Sequence, residues 1–107
     1  MKTLDIIVPV YNEEACLNQT MQRLLELRTK FKGKLNLNYI FINDGSNDKS
    51  EEILEEYAKK DKNIKIINFS RNFGHQAAIT AGLDYSKADY SAIIDADLQD
   101  PPELIYD

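Results

Sequence analysis

Tyr90-Ser91-Ala92-Ile93-Ile94-Asp95-Ala96-Asp97 is an apolar run that ends in two carboxylates one residue apart, and Leu98-Gln99-Asp100-Pro101-Pro102-Glu103 follows directly. Such a run reads as a buried strand whose last residues emerge at a sheet edge. Alternate strand residues share a side, so positions 95 and 97 can face one ligand together. Hard divalent cations take carboxylate and phosphate oxygens as ligands, so a cation held between this pair and a diphosphate suits the spacing. Taken alone, Asp-x-Asp reads first as a strand end running into an acidic turn. The rest of the chain has to lift it above that.

Working outward, residues 4–10, 39–42 and 64–69 form three more short runs rich in Ile, Val or aromatics. Three helical patterns separate the four runs. That alternation predicts an α/β chain of βαβ units around a mainly parallel sheet of about four strands. The first and fourth runs are apolar almost throughout, as central strands covered on both faces should be. Lys65 and Asn68 interrupt the third, which suits a strand nearer an edge. A first helix is expected over residues 13–31, with Asn12 as N-cap, Glu13 and Glu14 at its positive end, and Leu17, Met21, Leu24, Leu25 and Arg28 on one face. Gly33 ends it. A second begins near Asp48, where Asp48 and Glu51 have capping-box spacing, and buries Ile53, Leu54, Tyr57 and Ala58. A third, over about residues 74–85, carries Ala77, Ala78, Ile79, Ala81 and Leu83 and can pack close to the sheet. Asp100-Pro101-Pro102-Glu103 looks like the start of a further helix. Residues 1–107 are therefore expected to be the front, ligand-binding half of a larger domain.

The 107 residues are 43% hydrophobic and 29% charged, an ordinary globular composition. A net charge of -5 without a Lys/Arg-rich run argues against a nucleic-acid partner. It leaves room for a phosphorylated ligand, because a bound metal can supply local positive charge. Cys16, the one cysteine, permits no internal disulfide and is expected to act as a small hydrophobe in a reducing, cytoplasmic setting. Residues 4–10 are too short for a secretory leader, and nothing approaches the roughly 20 apolar residues of a membrane span.

In an open parallel sheet, ligands bind beyond the carboxyl ends of the strands. Those ends read Pro9-Val10-Tyr11-Asn12-Glu13, Asn43-Asp44-Gly45-Ser46, Ser70-Arg71-Asn72-Phe73-Gly74 and Asp95-Ala96-Asp97-Leu98-Gln99. One polar cluster is a turn; four on one rim suggest a site. Tyr11 could stack on a nucleobase or flank the core. Asp44 could accept from a base or a ribose hydroxyl, or form an Asx-turn into the second helix. Arg71, the one arginine on this rim, could grip a diphosphate or pair with a surface carboxylate. His75 opens the third helix and is read as a surface residue or a satisfied partner.

These four clusters, the first extended to Val8-Pro9-Val10-Tyr11-Asn12-Glu13-Glu14 and the last to Asp100-Pro101-Pro102-Glu103, resemble family 2 glycosyltransferases. The likeness is greatest to the branch that moves a sugar from a nucleotide onto a polyprenyl or dolichyl phosphate, such as bactoprenol glucosyltransferases and dolichol-phosphate mannosyltransferase. It spans the whole chain in order. The first two motifs are shared widely, whereas Ser70 to Gly74 and Asp95 to Glu103 are more specific to that branch. The resemblance implies a Rossmann-like GT-A nucleotide-binding half and inverting transfer. It implies that Pro9, Tyr11, Glu13 and Asp44 hold the nucleoside, and that Asp95, Ala96 and Asp97 meet the ribose and diphosphate. Asp97 and Gln99 would ligate Mg2+ or Mn2+. Asp97 and Arg71 would carry the catalytic charge stabilisation. The implied partners are a UDP- or GDP-hexose donor and a lipid phosphate acceptor, with the full-length protein at the cytoplasmic face of a membrane. The family often has two acids in the second motif, and here the first of them is Asn43.

Acceptor-side residues are expected after Asp107, so little turnover is expected from these residues alone. Other readings are a family 2 enzyme building a polysaccharide or cell-wall glycan, and a response-regulator receiver. The receiver would need an acidic pair after the first strand and an aspartate after the third, where Pro9-Val10-Tyr11 and Ser70-Arg71 stand. A sugar nucleotidyltransferase would need a Gly-rich, Arg-bearing loop after the first strand, and none is present.

Overall fold

The computed structural model of the chain describes residues 2–94. Seven elements follow in order: β1 (Thr3–Val10), α1 (Glu14–Phe31), β2 (Asn36–Asn43), α2 (Ser50–Lys60), β3 (Ile64–Asn68), α3 (His75–Tyr85) and β4 (Tyr90–Ile93). The strands form one parallel sheet in the order β3-β2-β1-β4. Register is unbroken from Thr3↔Asn36 to Val10↔Asn43 between β1 and β2. Strand order reverses between β1 and β4, so the switch point of the sheet lies there.

Period-two alternation sorts the core into two layers. Leu4, Ile6, Val8 and Val10 of β1, with Leu37, Tyr39 and Phe41 of β2, face Leu17, Met21, Leu24, Leu27 and Phe31 of α1 and Leu54 of α2. Ile7, Ile40 and Ile42 point the other way, against Ala78 of α3. The small residues of α3 let it lie close: a Cβ on Gly82 would stand 2.4 Å from Ile7 Cγ2 and 2.9 Å from Ile42 Cδ1. Tyr39 ties three elements together. Its hydroxyl donates to the Leu24 carbonyl at 2.5 Å, and the Arg28 guanidinium lies 5.2 Å from its ring while pairing with Asp61 at 2.5 Å. Burial pushes the Tyr39 phenol up to about 12, against a smaller lowering by Arg28.

Four expectations are corrected. Among the described residues β4 pairs with β1 alone, and Tyr90 and Ile93 are 50% and 45% exposed, so the fourth run is not a central, doubly covered strand here. Its composition reports a tendency to leave water, not which neighbour covers it; α3 lies over β1 and β2. Asn12 does not cap α1: it sits at φ 51° and its side chain reaches the next loop. The buried stripe of α1 runs through Thr20 and Leu27, leaving Leu25 and Arg28 half-buried at its border. Asp48 bonds Ser50 and Glu14 N–H groups, and Glu51 lies elsewhere, in a cleft wall. The edge placement of β3 and the left-handed Gly33 (φ 82°) after α1 agree with the sequence reading.

Candidate functional site at the carboxyl rim

Parallel register brings the carboxyl ends of β1, β2 and β3 to one rim, and a ladder of loop-to-loop bonds fixes them there. Asn12 leads. Its backbone N–H donates to Ser46 Oγ at 3.0 Å, and its Oδ1 accepts the Asn47 N–H at 2.7 Å. The helix starts then cap each other. Glu14 N–H donates to Asp48 Oδ2 at 3.1 Å, Lys49 N–H donates to Glu14 Oε1 at 3.2 Å, and Glu13 N–H donates to Ser50 Oγ at 3.0 Å. Free N–H groups at a helix start need acceptors, and each helix finds one on its neighbour. Burial pushes the Asp48 carboxyl up, but hydrogen bonds from Ser50 and Glu14 outweigh it and hold the group below its usual range.

A second set of bonds joins β2 to β3. Phe69 N–H donates to the Asn43 carbonyl at 2.9 Å, and the Asn43 amide donates to Asn68 Oδ1 at 3.1 Å while accepting the Ser46 N–H at 3.2 Å. A carboxylate at position 43 could not donate to Asn68, so the amide here has a partner to match. Gly45, at φ 69°, packs directly on the third loop: a Cβ there would stand 2.2 Å from the Arg71 carbonyl carbon and 2.4 Å from Asn72 N. Only glycine allows both the left-handed turn and that approach.

Between these loops lies an open cleft of about 490 Å³, walled by Tyr11 from the first loop, Asn43 at the end of β2, Ser46 from the second loop, Glu51 in the first turn of α2, and Arg71 and Asn72 from the third loop. Tyr11 is 43% exposed, so its ring face is available, and the Arg71 guanidinium rests 4.7 Å from the Phe73 ring centroid. An aromatic face and a guanidinium in one cleft can serve a ring and an anion together.

Two expected residues, Tyr11 and Arg71, therefore meet in the cleft. Pro9 is buried inside β1 and Asp44 is buried under residues 72–74, both outside the cleft wall. Glu13 is half-buried before α1, its carboxylate accepting from the Cys16 thiol at 3.3 Å. Asp95, Ala96, Asp97 and Gln99 lie outside the described residues. Among the described residues no group of three or more His, Cys, Asp or Glu could hold a metal. Sequence reading did not single out Ser46, Glu51 and Asn72 as wall residues; Ser46 and Asn72 stood in quoted motifs, while Glu51 carried only a helix-start signal.

The glycosyl transferase family 2 model matches residues 5–107. A protein of Bacillus subtilis (strain 168) described as the uncharacterized glycosyltransferase YkcC is 57% identical over 100 residues, covering 94% of this chain and 30% of that protein. The undecaprenyl-phosphate 4-deoxy-4-formamido-L-arabinose transferase of Pseudomonas aeruginosa (strain LESB58) is 38% identical over 107 residues, 95% of this chain and 30% of its own length. The prophage bactoprenol glucosyl transferase homolog of Escherichia coli (strain K12) is 38% identical over 105 residues, 95% of this chain and 33% of its own length. The chain thus spans about a third of the length of these relatives. In fold it is similar to the mannosyltransferase PcManGT from Pyrobaculum calidifontis, solved in complex with GDP-Man and Mn2+, with a TM-score of 0.74 at 20% identity over 90% of this chain and 28% of that one. Many nucleotide-binding folds share a parallel sheet of this order. The match that runs from residue 5 to residue 107 selects among them: the chain belongs to glycosyl transferase family 2 and carries the Rossmann-like α/β arrangement of its GT-A members.

Proposed function

We propose that the full-length protein moves a hexose from a nucleoside diphosphate sugar to a polyprenyl phosphate with inversion, and that residues 1–107 are its nucleotide-sugar-binding half. The observation that carries this reading is the cleft itself, where Tyr11 and Arg71 share a wall built from three strand ends. Tyr11 stacks on the nucleobase. Pro9, Glu13 and Asp44 hold the nucleoside by shaping the loops behind the cleft. Asp95, Ala96 and Asp97 meet the ribose and diphosphate, and Arg71 takes up negative charge as the diphosphate leaves, commonly the largest catalytic contribution in such sites. The carboxylate of Asp97 and the amide oxygen of Gln99 are hard oxygen donors, a set that suits Mg2+ or Mn2+. When bound, that ion would neutralise charge on the leaving group. A lipid phosphate is already ionised near neutral pH, so the demand for a general base is small.

The lipid acceptor is supported by the branch-specific stretch from Asp95 to Glu103 and by the two relatives named for undecaprenyl phosphate and bactoprenol. Such an acceptor places the full-length protein at the cytoplasmic face of a membrane. Among the described residues no helix is long and apolar enough to cross one. Calorimetric titration with UDP- and GDP-hexoses, with and without Mn2+, tests the reading. Metal-dependent heat with one donor, and transfer of labelled hexose to polyprenyl phosphate, are expected. A folded sample that binds neither donor in either condition refutes it.

A further inference from the structure

Asn12 keeps a left-handed backbone at φ 51°, alone among the described non-glycine residues, and so turns the chain from β1 into α1. Asparagine enters that region more readily than most side chains, yet something must hold it there. The second loop does so from two sides. Asn12 N–H donates to Ser46 Oγ at 3.0 Å, and Asn12 Oδ1 accepts the Asn47 N–H at 2.7 Å. Ser46 is itself tied to β2, its N–H donating to Asn43 Oδ1 at 3.2 Å. Just before Tyr11, the Val10 carbonyl accepts the Asp44 N–H at 2.8 Å.

Tyr11 therefore stands between two backbone anchors, the Val10 carbonyl and the Asn12 N–H, both bonded to the second loop. Its ring is 43% exposed and lines the cleft. Packing restrains so exposed a ring only weakly, so the backbone on either side sets where it lies. Asn12 stands outside the cleft wall, while its partners Ser46 and Asn47 are part of it. Its side chain thus acts on the wall from behind. Exposed hydrogen bonds of this kind add little to stability, and their effect here is on geometry.

We infer that Asn12 is a positioning residue, whose left-handed backbone and two bonds to the second loop hold the Tyr11 ring in place to stack on a nucleobase. The inference rests on the proposed stacking role of Tyr11. The test uses the full-length enzyme and two probes: whichever of UDP or GDP it binds, and inorganic pyrophosphate, which carries the anion without a base. Asn12→Gly keeps the left-handed turn but loses the acceptor for Asn47, and Asn12→Ala loses the acceptor and disfavours the turn. Asn12→Asp keeps an oxygen acceptor and tolerates the turn. The quantity read is nucleoside diphosphate affinity relative to pyrophosphate affinity, in which a charge added near the cleft cancels. Asn12→Ala is expected to lower this ratio about tenfold, the scale of one lost base stack. Asn12→Gly should lower it by at least about threefold, and Asn12→Asp should hold it within about twofold of wild type. In a Tyr11→Ala background Asn12→Ala should lower it by no more than about twofold further, because coupled residues do not add. An equal fall for both probes, a ratio lost in Asn12→Asp as fully as in Asn12→Ala, or full additivity with Tyr11→Ala would each overturn the inference. If Asn12→Ala loses its fold by circular dichroism, Asn12→Gly decides alone, since it keeps the turn. If Tyr11→Ala lowers the ratio while neither Asn12→Ala nor Asn12→Gly does, the inference alone fails. If Tyr11→Ala changes nothing, it falls together with the proposed stacking.

Discussion

Two glycines with the same backbone requirement should respond differently to one methyl group. Gly33 and Gly45 both hold positive φ, 82° and 69°. A Cβ at Gly33 meets nothing within 4 Å, whereas one at Gly45 would stand 2.2 Å from the Arg71 carbonyl carbon. A left-handed non-glycine residue costs about 1–2 kcal/mol, which is the whole expected loss for Gly33→Ala. Gly45→Ala adds overpacking against backbone, typically about 1–3 kcal/mol more, for a total of about 2–5 kcal/mol. Relief of the clash requires the 70–74 loop to recede by about 1 Å toward ordinary contact near 3.5 Å. A shift of about 1 Å at a reacting site lowers rate by about a hundredfold. Urea unfolding gives the two stability losses, and transfer kinetics on the folded enzyme give the rates. The expected pattern is a small stability loss with normal kcat for Gly33→Ala, and a larger loss with about 1% of wild-type kcat for Gly45→Ala. Equal stability losses with unchanged rates in both would refute the close approach of the second and third loops.

Three further outcomes follow from the packing. Asp48→Ala removes the acceptor shared by the starts of α1 and α2 and should cost about 1–2 kcal/mol near neutral pH. The folded Asp48 carboxyl titrates below its usual value, so its contribution is complete above about pH 4. It disappears as pH falls through the lowered value, and acid titration of the wild-type minus variant difference checks this. Tyr39 has the opposite sign: its phenol is raised to about 12, so stability is full below about pH 10 and declines as pH rises toward 12. Tyr39→Phe should lose about 1 kcal/mol at pH 7 and flatten that alkaline decline in pH-dependent melting. Gly82→Ala drives a methyl into Ile7 and Ile42 and should destabilise by about 1–3 kcal/mol despite its better helix propensity, as read from the melting temperature.

Strand and helix order were legible because each element announces itself over a few residues. The two-residue period of a strand puts Ile6 and Ile7, and Tyr39 and Ile40, on opposite layers, and the structure places them so. The rim was legible too, since in a parallel sheet all carboxyl ends share one side. Helix starts were misread for one reason: a polar residue before a helix can bond its own turn or a neighbour's, and the choice depends on what lies across the gap. Asn12 chose the neighbour, and Asp48 serves both its own turn and the neighbour's. Asp44 was read as an Asx-turn former or an acceptor from a base or a ribose hydroxyl, and the bonds of its carboxylate to a loop 28 to 30 residues further along were not foreseen. The acids at 95 and 97, which the sequence places foremost, lie outside the described residues.

Sequence alone determined the α/β class, the parallel rim and the family, because hydrophobic period and motif order are properties of a one-dimensional string. Only the tertiary structure decided that Asp44 is buried beneath the third loop, that Arg71 rests on Phe73, and that Gly45 is pressed against the Arg71–Asn72 peptide. Those facts depend on the distance between segments that are far apart in the chain, and a string carries no distances until the sheet has set them.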